Sequence, residues 1–60
     1  MNAYQASIFA FVLAENALVL GMEAENKQRE AVGASMAFVE NDFALAAGRI
    51  QELALQLRNS

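Results

Sequence analysis

Apolar positions recur at helical spacing along most of the chain, but the two halves use that spacing differently. In the C-terminal half Met36, Val39, Phe43, Ala46, Ile50, Leu53 and Leu57 follow one another at intervals of three or four, while Glu40, Gln51, Glu52 and Arg58 fall off that line. This pattern predicts an amphipathic helix over about 36–58 with one buried stripe, which needs one neighbour. The N-terminal half carries two stripes. One holds the large residues Ile8, Phe11, Leu18 and Met22; the other holds Ala3, Ala6, Ala10, Leu13, Ala17, Leu20, Ala24 and Ala31, with an alanine returning every seven residues. At about 100° per residue, Ile8 and Ala10 lie about 200° apart on a helix, so one partner helix cannot cover both. A helix over about 3–31, apolar on two opposing sides, is therefore predicted.

Between the two patterns lie a polar segment, EAENKQRE at 23–30, and the small-residue cluster AVGAS at 31–35. Gly33 suits the left-handed position just past a helix C-terminus and Ser35 can cap the next helix, which places a turn at 33–35. The resulting fold is all-α, an antiparallel helical hairpin forming a single domain over 1–60. Two other readings use the same residues. Asn41 or Asp42 could cap a shorter last helix, giving three helices in all. Alternatively, one heptad frame runs unbroken through the turn, with Ile8, Glu15, Met22, Arg29, Met36, Phe43, Ile50 and Leu57 at one seam position, as a single long coiled-coil helix requires. Glu15, Glu25 and Arg29 occupy seam positions before Val32, so that frame is clean only in its second half.

Composition strengthens the helical reading and raises the question of association. Thirteen alanines, three glycines and no proline favour helix and leave little of the punctuation an all-β chain needs. Sixty residues without a cysteine or histidine have neither disulfides nor Cys/His zinc sites to reinforce a small core, and self-association is the remaining common remedy. Exposing Phe9, Phe11, Val12, Leu13, Val19 and Leu20 would forgo about 1.5–3 kcal/mol each, which rivals the whole stability of a small domain. We expect a homo-oligomeric helical bundle, at minimum a dimer of hairpins making four helices. Its interface should draw on Ile8, Phe11, Leu13, Ala17, Leu18, Leu20 and Met22 of the first arm and on Phe43, Ile50, Leu53 and Leu57 of the second. The alanine stripe suits a close helix–helix approach and the large stripe a wider one.

Charge and motif content remove several function classes. A net charge of −3 with four basic residues argues against binding nucleic acid through its phosphates. The apolar stretch Ser7–Met22 is interrupted by Glu15 and Asn16 and falls short of the roughly 20 residues a spanning helix needs, so a cytoplasmic protein is expected. No lysine or arginine precedes that stretch, unlike a signal peptide. Ser7, Ser35 and Ser60 have no histidine base, Lys27 sits among polar neighbours, and Gly21, Gly33 and Gly48 are too far apart for a phosphate loop. Neither enzymatic activity nor a cofactor is expected. Glu23, Glu25 and Glu30 read as a solvated face and not as a metal site.

What remains is binding. Lys27, Arg29 and Arg49 are the candidate anion ligands, which symmetry could gather around an axis, and Glu15 with Asn16 could line a pocket between helices. The plainer account pairs Lys27 with Glu40 across the hairpin and gives Glu15 a role in fixing register. Two functions follow: a protein-interaction or sequestering module that associates with itself and with a partner protein, or a sponge-like binder of a small anionic ligand such as a nucleotide signal.

Overall fold

The computed structural model describes residues 1–60 and consists of two helices, α1 (Ala3–Ala31) and α2 (Glu40–Arg58), joined by Val32–Val39. They are antiparallel. Gln5 Nε2 donates to Ser60 Oγ at 3.2 Å, Arg49 pairs with Glu15, and Asn26 Nδ2 donates to the Phe38 carbonyl at 2.8 Å, so ascending positions on α1 meet descending ones beyond the turn. The continuous heptad frame does not produce one long helix, nor does the Asn41–Asp42 signal produce a third.

Each helix starts and stops for identifiable reasons. Asn2 Oδ1 accepts from Gln5 N–H at 2.8 Å while Gln5 Oε1 accepts from Asn2 N–H at 3.0 Å, a reciprocal cap that satisfies two otherwise orphaned donors. At the other end Gly33 has φ 75°, the left-handed conformation that glycine adopts without a Cβ penalty. Ala34 N–H then donates to the Arg29 carbonyl at 2.8 Å and Gly33 N–H to that of Glu30 at 3.1 Å, the paired closure of a Schellman motif. The expected break at Gly33 is present.

The second helix begins later than its periodicity predicts, at Glu40 and not near 36. Ser35 does not cap it. Val39 occupies the N-cap position, where Asp42 Oδ2 accepts from its N–H at 2.9 Å, and Glu40 and Asp42 place negative charge in the first turn, where the helix dipole favours it. Met36 and Val39 therefore belong to the connection and not to the buried stripe. Asn26 explains why that connection is ordered without being helical: its Oδ1 accepts from Ala37 N–H at 3.1 Å and Phe38 N–H at 3.0 Å, in addition to the Nδ2 bond. Three backbone groups that helix formation would have used are satisfied by one side chain on α1.

Packing selects a narrower stripe than the sequence pattern suggests. On α1, Ile8 and Met22 are buried and Val12, Glu15, Val19 and Asn26 half-buried; on α2, Ala46 is fully buried and Phe43, Ile50, Leu53 and Leu57 half-buried. Both lines step by three and four, as two helices sharing one seam require. Phe11 and Leu18 are not on it. Only 3 of 60 residues are buried, and the Cα extents of 47 × 18 × 8 Å describe a single layer of two helices. The radius of gyration is 14.5 Å, against about 10 Å for a compact domain of this length. The accessible surface of 4493 Å² likewise exceeds the roughly 3,800 Å² of a compact monomer of 6.5 kDa.

The helix that carries Ser7–Met22 is longer than that segment alone implies. Ala3–Ala31 is long and apolar enough, by length and composition, to cross a membrane, with an 18-residue window of mean hydropathy 1.5 that is 11% buried. The expectation that this region is too short to span is thereby corrected: alanines on either side extend its apolar length.

Candidate functional site

The side chains that α2 leaves uncovered lie on both sides of the α1 seam. Taking the direction toward α2 from Ile8, Val12, Glu15, Val19 and Met22, Phe11 and Leu18 are rotated about 60–80° to one side and Phe9, Leu20 and Leu13 about 100–140° to the other. All five are exposed. Ala10 and Ala17, directly opposite α2, are exposed as well. Of the interface residues expected from sequence, Ile8, Met22, Phe43, Ile50, Leu53 and Leu57 serve the contact within the hairpin, while Phe11, Leu13, Ala17, Leu18 and Leu20 remain open. Val12 and Val19 join the seam, although the sequence pattern grouped them with neither stripe.

A groove follows the Phe11–Leu18 side. Its first part, about 590 Å³, lies among Phe11, Ala14, Leu18 and Leu53, bordered by Glu15, Arg49 and Glu52. Leu18 also lines the second part, which continues past Gly21 and Met22 to Ala37 and Phe38. The groove exists because the α1 residues that alternate with Phe11 and Leu18 are small, and because α2 turns Leu53 and the Arg49 stem toward the same side.

Glu15 is the one charged residue of α1 before Glu23. Its side chain is 14% exposed and its carboxylate accepts from Arg49 Nε, whose side chain is 51% exposed. The burial falls on the carboxylate and the guanidinium keeps its water, so the pair compensates Glu15 more than it constrains Arg49. Arg49 is consequently neutralised from within the chain. Asn16, one residue on, lies on the opposite side and lines no part of the groove.

The anion candidates do not converge within one chain. Arg29 pairs with Glu25 at 2.9 Å one turn earlier, an exposed contact worth a few tenths of a kcal/mol. Lys27 makes no ion pair. The expected bridge to Glu40 fails on register: Glu15 is level with Arg49 and Asn26 with Phe38, so Lys27 stands level with Ala37, and the eight-residue connection carries Glu40 further along. Arg29 and Arg49 are separated by about four turns, roughly 20 Å, at 1.5 Å per residue. No group of three or more carboxylate, thiol or imidazole ligands is placed to hold a metal ion.

Sequence reasoning missed Asn26 and Phe38. Asn26 sits in the polar run 23–30, where an asparagine looks like one more solvated residue. Phe38 is a lone aromatic between two alanine-containing segments, outside any periodic stripe. Comparison of the chain with protein-family models, with curated proteins and with solved structures finds no match.

Proposed function

We propose that this chain is a non-catalytic helical interaction module that assembles with copies of itself and can sequester an apolar helical segment of a partner protein. A single observation carries this reading: α1 is apolar on more than one side through Met22, and α2 covers only one line of it. Six large side chains of α1, Tyr4, Phe9, Phe11, Leu13, Leu18 and Leu20, remain in water in the isolated hairpin. Large contiguous apolar surface of this kind marks an interaction site. The surface excess over a compact monomer, roughly 700 Å² from the comparison above, approaches the 800 Å² or so that each partner contributes to a standard protein interface.

Two features favour a protein over a lipid environment. α2 lies along α1 for most of its length, so α1 cannot span a bilayer in this hairpin without carrying Arg49, Glu52 and Gln56 into the hydrocarbon. Central charges are costly there, about 2.5–3.5 kcal/mol each on insertion scales. The helices also pack against each other through Ile8, Met22 and Ala46, which are shielded from water within the hairpin itself.

The groove beside Glu15 and Arg49 favours a second reading, capture of a small ligand, because its volume lies within the range of ligand sites. Its chemistry suits an apolar body with one polar group better than a phosphate, since Arg49 already has a carboxylate partner. Sedimentation equilibrium tests the main reading: the chain should associate at micromolar concentration, and a stable monomer would remove its basis. Thermal melts against nucleotides and against amphipathic small molecules test the second, where ligand-linked stabilisation that grows with free ligand is required.

A further inference from the structure

The geometry points to a specific homodimer, in which the grooved side of α1 packs antiparallel against the same side of a second copy about a twofold axis level with Val12 and Leu13. This rests on the self-association reading above and adds the surface, direction and register of the contact.

The stripe bordering the groove reads Tyr4, Ser7, Phe11, Ala14, Leu18, Gly21, which alternates large and small at intervals of three and four. None of the six is buried by α2. Tyr4, Phe11 and Leu18 are 58%, 62% and 52% exposed, and Ser7, Ala14 and Gly21 are exposed between them. Knobs and holes in strict alternation are what close helix packing needs across a seam. The order also matches itself when reversed. With the axis between positions 12 and 13, Tyr4 meets Gly21 of the second copy, Ser7 meets Leu18 and Phe11 meets Ala14, each contact occurring twice. Every large residue is seated on a small one, as an isologous interface demands of a single surface.

Gly21 in particular has no packing role within the hairpin. A Cβ at Gly21 would meet nothing within 4 Å, and a glycine inside a helix costs about 1 kcal/mol relative to alanine. The space above it is open and lies where Tyr4 of the opposing copy would enter. Ser7 Oγ donates to the Ala3 carbonyl at 3.0 Å, so its hydroxyl enters the seam already satisfied. Arg49 and Glu52 border the groove and supply a polar rim. The surface excess of the whole chain, roughly 700 Å², approaches what each copy contributes to one standard interface.

The test combines assembly and cross-linking in a chain that has no native cysteine. Wild-type chain should sediment as a dimer. Phe11→Glu should raise the dissociation constant at least about a hundredfold, since two copies of the residue are lost from the seam, whereas Leu20→Glu on the opposite side should change it less than about threefold. Gly21→Leu should weaken the dimer while leaving or raising helical circular dichroism, which separates a blocked seat from a misfolded hairpin. A mixture of Tyr4→Cys and Gly21→Cys chains should be joined by a short bismaleimide, and neither chain alone, because like positions lie about 25 Å apart across the axis at 1.5 Å per residue. Linking of Leu18→Cys to Gly21→Cys in their place would show a parallel contact and overturn the inference. A dimer that survives Phe11→Glu and is lost with Leu20→Glu would overturn it too, while leaving self-association intact. A monomeric wild-type chain would defeat both, including one that binds vesicles as a monomer.

Discussion

The two helices are built from similar residues to opposite ends. α2 has one packed apolar line, acidic residues in its first turn and Arg58 in its last, and its outer surface mixes Glu40, Arg49, Gln51, Glu52 and Gln56 with small residues and the exposed Leu45 and Leu55. Its polar residues are spread along its length. α1 has almost no polar surface before Glu23, and its one early charge points toward α2 and not toward solvent. α2 leaves two large apolar side chains exposed once it is packed on one side, and α1 leaves six. On the proposed reading a larger assembly covers those of α1. The contrast is sharpest in their alanines, since Ala46 is fully buried between the helices while Ala10 faces away from α2 altogether.

Those two alanines give the largest predicted difference. Ala46→Glu places a charge at the one fully buried position of the seam, and such a group costs several kcal/mol unless it is paired. The hairpin has too few buried residues to absorb that loss, so far-UV circular dichroism should show the helices melted at room temperature. Ala46→Leu, which only overfills the seam, should cost about 1–3 kcal/mol. Ala10→Glu should leave hairpin stability within about 0.5 kcal/mol, as an exposed substitution does. Equal losses at positions 10 and 46 would mean that α1 is enclosed on both sides by contacts within one chain.

The next effect lies where the helices join. Asn26→Ala removes three hydrogen bonds to the Ala37–Phe38 backbone, two of them part-buried, and should cost about 2–3 kcal/mol because the backbone groups lose their partner while remaining sheltered. Denaturant melts would record it. Hydrogen exchange should be faster at Ala37 and Phe38 than in the wild type, and unchanged protection there would show that the connection is held by something other than Asn26.

The same join shows what could be read from sequence and what could not. Gly33 was legible because a left-handed residue at a helix end has few chemical solutions, and the fold class was legible from period alone. The start of α2 was legible only in the alternative that capped a shorter last helix at Asn41 or Asp42, close to the observed start at Glu40. Met36 and Val39 continue the apolar spacing of the helix, and nothing local shows that Asn26, eleven residues earlier than Ala37, claims the backbone between them. Ile8, Phe11, Leu18 and Met22 read as one stripe because each differs from the next by a helical interval. Only the packed structure shows that Val12, Glu15 and Val19 lie closer to α2, which turns Phe11 and Leu18 outward. A stripe wider than one neighbour leaves its own centre undetermined, and α2, with a narrow stripe, had no such freedom.

The Glu15–Arg49 pair links the two helices through groups of unequal exposure, and the inequality predicts unequal mutants. Arg49→Leu leaves a largely buried carboxylate without a partner and should destabilise the hairpin by about 1–2 kcal/mol. Glu15→Leu leaves only a guanidinium that water can solvate and adds apolar surface to the seam, so it should be neutral or stabilising. Thermal unfolding of the two single variants separates them. Equal destabilisation would show that the attraction within the pair matters more than the burial of Glu15.

The smallest effect uses two glycines placed alike in their own helices. Gly21 and Gly48 both lie in helix interiors, and a Cβ at either meets nothing within 4 Å. Replacing a helical glycine by alanine without strain stabilises by about 0.5–1 kcal/mol. Gly48→Ala should therefore raise stability by that amount at every protein concentration, because the proposed contact between copies lies on α1. Gly21→Ala should give the same gain in dilute solution and a smaller one as concentration rises, since the added methyl narrows the seat offered to Tyr4 of a second copy. Melting curves collected over a concentration series measure both. A gain at Gly21 that is independent of concentration would make the two glycines equivalent, and α1 would then have no use for its open side at that position.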